Sequence, residues 1–362
     1  MKDSFKIRHK VRAEIYMQPD ELFMRRAIEL AERGAGTVSP NPMVGCVVVR
    51  DSVVVGEGWH QQFGGPHAEV NALSSVRDKS SVTGSTVYVS LEPCSHFGKT
   101  PPCSDLLIQQ KVERVIIGCL DPNPVVNGSG IKKLKEAGIH VEISSLKNEA
   151  FELNKRFFTA QIKKRPFVIL KWAQTSDRLI ARVDHSSKWI SSELSRQLVH
   201  RWRAEEDAIL IGRNTAEKDN PLLTVRDWIG RNPLRVLIMK NGAIDPGWNI
   251  FDSTAPTLCY SSGPESSTKE IEVIKIKENF LPSLLSDLHS RGIISLIVEG
   301  GAATLKSFID AGLWDEARVF TAPISFEKGI HAPELNGIKI SESASGPDTL
   351  TIYRHPDSLF NN

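Results

Sequence analysis

Apolar runs of four to eight residues alternate with amphipathic stretches from Pro19 to Ser144, yield to one charged stretch, and begin again at Arg165–Pro166. Alternating strand-period and helix-period patterns stack helices on a largely parallel sheet. The restart sets two such units in one chain of 362 residues, as expected where a single core rarely grows past ~250–300 residues. In the first unit, PDELFMRRAIELAERG predicts a helix closed by Gly34, and MVGCVVVR with SVVVGEGW a hairpin. HAEVNALSSV predicts a helix starting at or just before His67. TVYVSLEP, VERVIIGC and IHVEIS read as strands, SDLLIQQK and GIKKLKEAG as helices, and NEAFELNKRFFTAQIKKR as one charged helix leading out. In the second unit, strands are expected at PFVILKWAQ, DAILIG, PLRVLIM, PTLCYSS, IEVIKI, ISLIVEGG and ARVFTAPIS. Helices are expected there at SSELSRQLVHRWRAE, FLPSLLSDLHSRG and AATLKSFIDAG. This divides the chain into a polar extension over 1–18, a first α/β domain over 19–163 and a second over 164–362.

A formal net charge of +2 weighs against nucleic acid as the main partner. No run approaches the ~20 apolar residues of a membrane span, and MKDSFKIRHKVRAEIYMQ lacks the apolar core of a secretory signal. Five cysteines, an odd number, suit a reducing cytoplasm better than a disulfide scaffold.

Two of those cysteines stand in LEPCSHFGKTPPCSD, as Cys94 and Cys103, and the upstream GGPHAEV supplies His67 and Glu69. One imidazole and two thiolates suit zinc rather than magnesium or calcium, and they leave a fourth tetrahedral corner for water. Each cysteine follows a proline, a position suited to helix starts, where the helix dipole favours a thiolate. Glu69, two residues from the imidazole, is placed to carry a proton from a zinc-activated water to a leaving group. A redox pair would show C-x-x-C. A structural zinc site would need His60 or His96 as fourth ligand and has no use for Glu69. Deaminases of nucleic-acid bases share H-x-E and P-C but space their cysteines by two residues, whereas eight intervene here. Cys46, Cys119 and Cys259 lie in apolar runs and read as small buried hydrophobes.

The second unit is less explicit. VEGGAATLKSFIDAG is a strand, a glycine pair and a helix, which lets backbone N–H groups approach a phosphate, although G-x-G-x-x-G is absent. DNPLLTVR gathers Asp219, Asn220 and Arg226 around a proline turn, and Arg203 with Arg226 suits a sugar phosphate. Lys171 is a charged residue on a strand of buried pattern and suits an anionic group.

SPNPMVGCVVV, GWH, PHAEV, LEPCSHFGKTPPC and DPNPVVNGSG together resemble the deaminase half of the bifunctional riboflavin-biosynthesis deaminase/reductases. LKWAQTSD, SSKWI, DAILIGRNT, DNPLLTVR and VEGG resemble the reductase half, so the likeness runs over about residues 19–345. It implies a cytidine-deaminase-like α/β/α sandwich followed by a dihydrofolate-reductase-like α/β domain. It further implies one zinc ion, NADPH, a small phosphorylated pyrimidine substrate and a homo-oligomer. By position it assigns Asn41, His60 and Lys99 to the pyrimidine substrate of the deaminase. It assigns Ser187, Arg203, Asp219, Asn220, Leu223, Arg226 and Glu299 to the substrate of the reductase. The cofactor falls to Lys171, Ala173, Trp189, Thr215, Lys240 and the run Gly301, Ala302, Ala303, Thr304, Leu305, Lys306, Ser307. The chain departs from the pattern at Thr175-Ser176-Asp177-Arg178, where the family reads S-L-D-G, and at Met239-Lys240, where an Asp-Ser-like pair is common. The glycine-to-arginine change could reshape the cofactor cleft and leave a deaminase with an altered or inactive second domain. Lys240 could meet the 2′-phosphate of NADP.

Overall fold

The computed structural model describes residues 18–361 apart from His96, 98–100, 123–127, 185–189, 241–242 and 264–270. The first half runs α1 (Pro19–Glu32), β1 (Gly45–Arg50), β2 (Val53–Trp59), α2 (Ala68–Ser75), β3 (Thr86–Leu91), α3 (Cys103–Gln109) and β4 (Arg114–Cys119). It continues through α4 (Ser129–Glu136), β5 (His140–Ile143), α5 (Lys147–Leu153) and α6 (Lys155–Lys163). Its five strands lie in the order β2-β1-β3-β4-β5, antiparallel around β1 and parallel from β3 to β5. Side chains alternate across β1. Val47 and Val49 join Met24, Ala27 and Leu30 of α1, while Cys46 and Val48 join Ala68 and Ala72 of α2 and Leu107 of α3. Period-two alternation between two apolar layers makes the sheet the centre of an α/β/α sandwich. Gly45 is required where α1 crosses, since a Cβ there would lie 2.0 Å from the Ala27 carbonyl oxygen.

The second half continues with β6 (Phe167–Thr175), β7 (Leu179–Arg182), α7 (Glu193–Glu205), β8 (Ala208–Gly212), α8 (Arg213–Asp219) and β9 (Leu234–Met239). Next come β10 (Thr257–Ser261), β11 (Val273–Lys275), α9 (Phe280–Ser290), β12 (Ser295–Val298), α10 (Ala302–Asp310) and β13 (Glu316–Ala322). The chain closes with β14 (Gly329–His331), β15 (Ile338–Ser345) and β16 (Asp348–Arg354). Nine of these strands form one sheet, β11-β10-β9-β8-β12-β6-β13-β16-β15, and β14 pairs with β7. Pairing is parallel from β11 through β13 and antiparallel in the last two steps.

Two departures from the sequence-based reading have local causes. The charged stretch expected as one helix is two, α5 and α6, broken at Asn154. That residue is buried, and its side chain pairs with both main-chain groups of Met43, each at 2.8 Å. The β15–β16 hairpin is not among the expected strands; β15 is exposed along nearly its whole length, Ile338 and Ile340 included, while β16 is partly buried. The two halves share a core. Phe157 and Phe158 of α6 lie in one cluster with α1, with Phe167 of β6 and with Trp202 of α7. Beside it, Ser39 and Arg231 both donate to Asp207, at 2.7 and 2.5 Å, and Arg231 also donates to the Gly36 carbonyl.

Candidate active sites

The first site sits where α2 and α3 begin against the sheet. His67 is the residue before α2, and Cys103 opens α3. Cys94, expected at a helix start, lies instead in the irregular segment after β3; its sulfur accepts the Cys103 N–H at 3.3 Å. His67 Nδ1 lies 3.6 Å from Cys94 Sγ and 3.3 Å from Cys103 Sγ. Ligand bonds of about 2.3 Å to sulfur and 2.0–2.1 Å to nitrogen, at tetrahedral angles, put sulfur and nitrogen about 3.5 Å apart. The donor set and its spacing therefore fit zinc, and it is the one such group of donors among the described residues.

Within the cluster, hydrogen bonds from Cys103 and His67 lower the Cys94 thiol, and the same contact with Cys94 together with burial raises Cys103. Glu69 is buried, with a hydrogen bond to Cys103, and burial raises its carboxyl above the usual range. Asn41 and His60, 19 residues apart, meet beside the cluster: the Asn41 amide lies 3.1 Å from His60 Nε2. His60 Nδ1 lies 2.9 Å from the Pro66 carbonyl. With Nδ1 donating to Pro66, Nε2 accepts from Asn41. Burial keeps this ring below its ordinary titration range, and it stands edge-on to His67 with centroids 5.7 Å apart.

Glu92 was missed in the sequence. Its buried carboxylate, two residues before Cys94, accepts the N–H of Gly128 and of Gly130, each at 3.0 Å, and so ties β3 to the start of α4. The signal available was a carboxylate at the end of an otherwise apolar strand.

The second site lies at the carboxyl ends of β6, β8 and β12. Glu299, just past β12, receives Arg203 of α7 through two hydrogen bonds of 3.0 and 2.9 Å. Lys171 of β6 lies 3.5 Å from the oxygen that Arg203 Nη2 also meets. Burial pushes Glu299 up, but Arg203 and Lys171 outweigh it and hold the carboxyl at about 2. The anionic group that Lys171 reaches is thus Glu299.

Thr304 of α10 packs against Gly212 and Gly300, where added Cβ atoms would come within 2.4 and 2.5 Å of it. This close approach seats the first turn of α10 on the strand ends. Gly301 is exposed and donates to Thr215 Oγ1 at 3.1 Å. The N–H groups of Ala302 and Ala303 have no partner within the helix. A glycine cradle at a helix start fits the phosphates of a dinucleotide.

Other expected residues have more local surroundings. Leu305 is fully buried in the core, Lys306 pairs with Asp310 at 2.8 Å, and Ser307 Oγ donates to the Thr304 carbonyl. Asp219 ends α8. Asn220 follows in the left-handed region and holds Asn249 by its side-chain oxygen and its carbonyl. Leu223 is buried, Arg226 exposed, Ala173 half-buried, and Lys240 exposed just after β9. Arg178 is exposed, at a φ of 62°. It keeps the left-handed backbone a glycine would adopt, in a turn secured by Asp177 at Ser325 and Glu327, so the exchange does not reshape this turn. Lys99, Ser187 and Trp189, with His96, lie outside the described residues.

A sulfur–nitrogen metal site with a buried carboxylate beside it, on an α/β/α sandwich, belongs to the hydrolytic base deaminases; here a dinucleotide-type α/β sheet is joined to it. Residues 17–119 match the model of the cytidine and deoxycytidylate deaminase zinc-binding region, and residues 166–331 match that of the RibD C-terminal domain. The riboflavin biosynthesis protein RibD of Aquifex aeolicus is 40% identical over 331 residues, 90% of this chain and 92% of that protein. A Thermotoga maritima structure, a diaminohydroxyphosphoribosylaminopyrimidine deaminase/5-amino-6-(5-phosphoribosylamino)uracil reductase, is 38% identical with a TM-score of 0.86. It covers 93% of this chain and 99% of its own. Acinetobacter baumannii RibD gives 33% and 0.85, over 93% of this chain and 98% of its own. The chain belongs to the RibD family of riboflavin biosynthesis proteins, and it carries both the deaminase and the reductase domain.

Proposed function

We propose that residues 19–163 hydrolyse the amino group of 2,5-diamino-6-(5-phosphoribosylamino)pyrimidin-4-one to a carbonyl, releasing ammonia. Residues 164–362 then reduce the ribosyl group to ribityl with NADPH, giving 5-amino-6-(5-phosphoribitylamino)uracil. The observation that carries this reading is the gathering of His67, Cys94 and Cys103 with Glu69 buried beside them. His67, Cys94 and Cys103 would hold the zinc, which when bound supplies a Lewis acid able to bring a water to ionisation near pH 7. Glu69 accepts a proton from that water on its carboxylate and returns it to the departing amine. Asn41 and His60, hydrogen-bonded to each other at the edge of the cluster, orient the pyrimidine, with Lys99 as the third substrate contact.

In the second half NADPH supplies the hydride. Gly301 and the start of α10 bind its phosphates, and Ala173, Thr215 and Trp189 line its site. Glu299, held ionised between Lys171 and Arg203, orients the sugar hydroxyls by accepting hydrogen bonds. Arg226 pairs with the substrate phosphate, while Ser187, Asp219, Asn220 and Leu223 shape the rest of that pocket. The formal net charge of +2 supports a free phosphorylated pyrimidine over a nucleic acid. The unpaired cysteines support a reducing cytoplasm, and among the described residues no helix is long and apolar enough to cross a membrane. An exposed edge strand, β15, supports assembly with further copies of the chain.

An assay supplied with the diaminopyrimidine and NADPH, following ammonia and NADPH oxidation separately, tests both steps. Equal amounts of ammonia and NADP are expected. Ammonia without NADPH oxidation would confine the activity to the first half. For the cofactor, Lys240→Ala is expected to narrow the preference for NADPH over NADH by about tenfold, the loss of about one charged hydrogen bond. An unchanged ratio of kcat/KM values would remove Lys240 from the 2′-phosphate.

A further inference from the structure

The segment after α8 that carries Arg226 is held by Arg203 and His200 of α7 and by Asn232 of the loop that follows it. The Thr224 carbonyl accepts from Arg203 Nη1 at 3.3 Å, the Val225 N–H donates to Asn232 Oδ1 at 2.8 Å, and the Arg226 N–H donates to His200 Nδ1 at 3.2 Å. Leu223, at the head of the segment, is buried with a φ of 57°, a region that non-glycine residues occupy only when their surroundings impose it. His200 is 4% exposed, so no solvent substitutes for its contacts. Because Nδ1 accepts, the ring proton must sit on Nε2, which lies 3.4 Å from Asp227 Oδ2. One buried ring thus holds the Arg226 backbone, with the exposed Asp227 carboxylate near its other nitrogen, while the Arg226 side chain stays exposed.

We propose that His200 is a positioning residue of the reductase site: its neutral imidazole holds the 223–227 backbone in the shape that presents Arg226 to the substrate phosphate. The inference rests on the reading of Arg226 given above. The grip works only while Nδ1 is unprotonated, since a second ring proton would face the Arg226 N–H donor to donor. The charged groups facing the ring are Arg203 of its own helix, Arg226 and Asp227 of the segment, and Glu299 beyond β12. Burial, Arg203 and Arg226 outweigh the two carboxylates and keep the imidazole below its ordinary titration range. At neutral pH the grip is intact; in acid it is released, and phosphate binding weakens with it.

The test uses the zinc-loaded full chain with NADPH and 5-amino-6-(5-phosphoribosylamino)uracil, and ammonia release from the first half reports intact folding. His200→Leu is expected to raise KM about tenfold with kcat within about threefold, because binding and not the hydride step is lost. His200→Asn places an acceptor where Nδ1 was. It is expected to keep KM within about threefold of the parent at pH 7.5 and to flatten the rise in KM as the pH falls below the ordinary imidazole range. Titration of the substrate phosphate is common to both profiles and cancels in their ratio. An Asn variant with the parental acid rise, or a Leu variant with the parental KM, overturns the proposal. Arg226→Gln with a parental KM would sink the phosphate reading and the proposal together. A raised KM in Arg226→Gln beside a parental KM in His200→Leu sinks the proposal alone. Where the Leu variant loses ammonia release as well, the Asn profile decides.

Discussion

Glu69→Gln will keep its zinc and lose ammonia release by about 10²–10⁴-fold, the usual contribution of a placed proton carrier. The amide matches the carboxylate in volume, so the buried pocket beside Cys103 stays filled. It cannot take a proton from water or pass one to an amine. Since Glu69 is outside the donor set, metal content should remain near one ion per chain by elemental analysis. NADPH oxidation with the deaminated intermediate supplied directly should be unchanged. Those two controls separate a lost proton carrier from a damaged fold. Undiminished ammonia release would mean that another group moves the proton.

The largest expected effect on stability lies away from both sites. Glu206, directly after α7, is fully buried between Arg156 of α6 and Arg318 of β13. Arg318 also pairs with Glu316 at 2.7 Å and stacks over Trp202, and Lys155 of α6 closes the group at 2.6 Å from Glu316. This network joins the helix that leaves the first half to the sheet of the second. Glu206→Gln leaves guanidinium charge buried without its counter-ion, and breaking a buried pair in this way costs about 3–5 kcal/mol. At about 2 cal/mol/K per residue, a 362-residue chain that melts as one unit would lose roughly 4–7 °C in Tm. Because the cluster containing Phe157, Phe158, Phe167 and Trp202 is common to both halves, ammonia release and NADPH oxidation should fail at the same temperature. A reductase that fails several degrees before the deaminase would show that the halves melt apart.

The acid side follows from the same groups. Burial raises Glu206 and Glu316, but their cationic neighbours outweigh it and hold both below the ordinary glutamate value. A depressed folded pKa contributes stability above the unfolded value and loses it as the pH falls through the folded one. The network therefore stays intact through mildly acidic conditions.

Much of this molecule was legible as sequence because much of its chemistry is local. His67 and Glu69 are two residues apart, and Cys94 and Cys103 share one loop. Imidazole and thiolate in that company leave few metals to choose from. The strands were legible for a related reason: nearly all of them are buried on one face or both, and burial writes a period into the chain. β15 is exposed along nearly its whole length, and its short apolar alternation at Ile338 and Ile340 records no burial. Asn154 divides a helix that the local pattern ran straight through, because its partner Met43 stands 111 positions away.

The residue types alone therefore determined two α/β units, a soft-ligand metal site and a carboxylate able to serve it. Tertiary structure decided which distant polar groups meet: Asn41 with His60, Arg203 with Glu299 across 96 positions, and Arg156 with Glu206 across 50. It also put Cys94 in a loop rather than on a helix, and set Lys171 beside Glu299. The reason is physical. A periodic pattern records how each residue faces its own sheet or helix, but the pairing of buried charges depends on the order and register of strands, to which no single segment is sensitive.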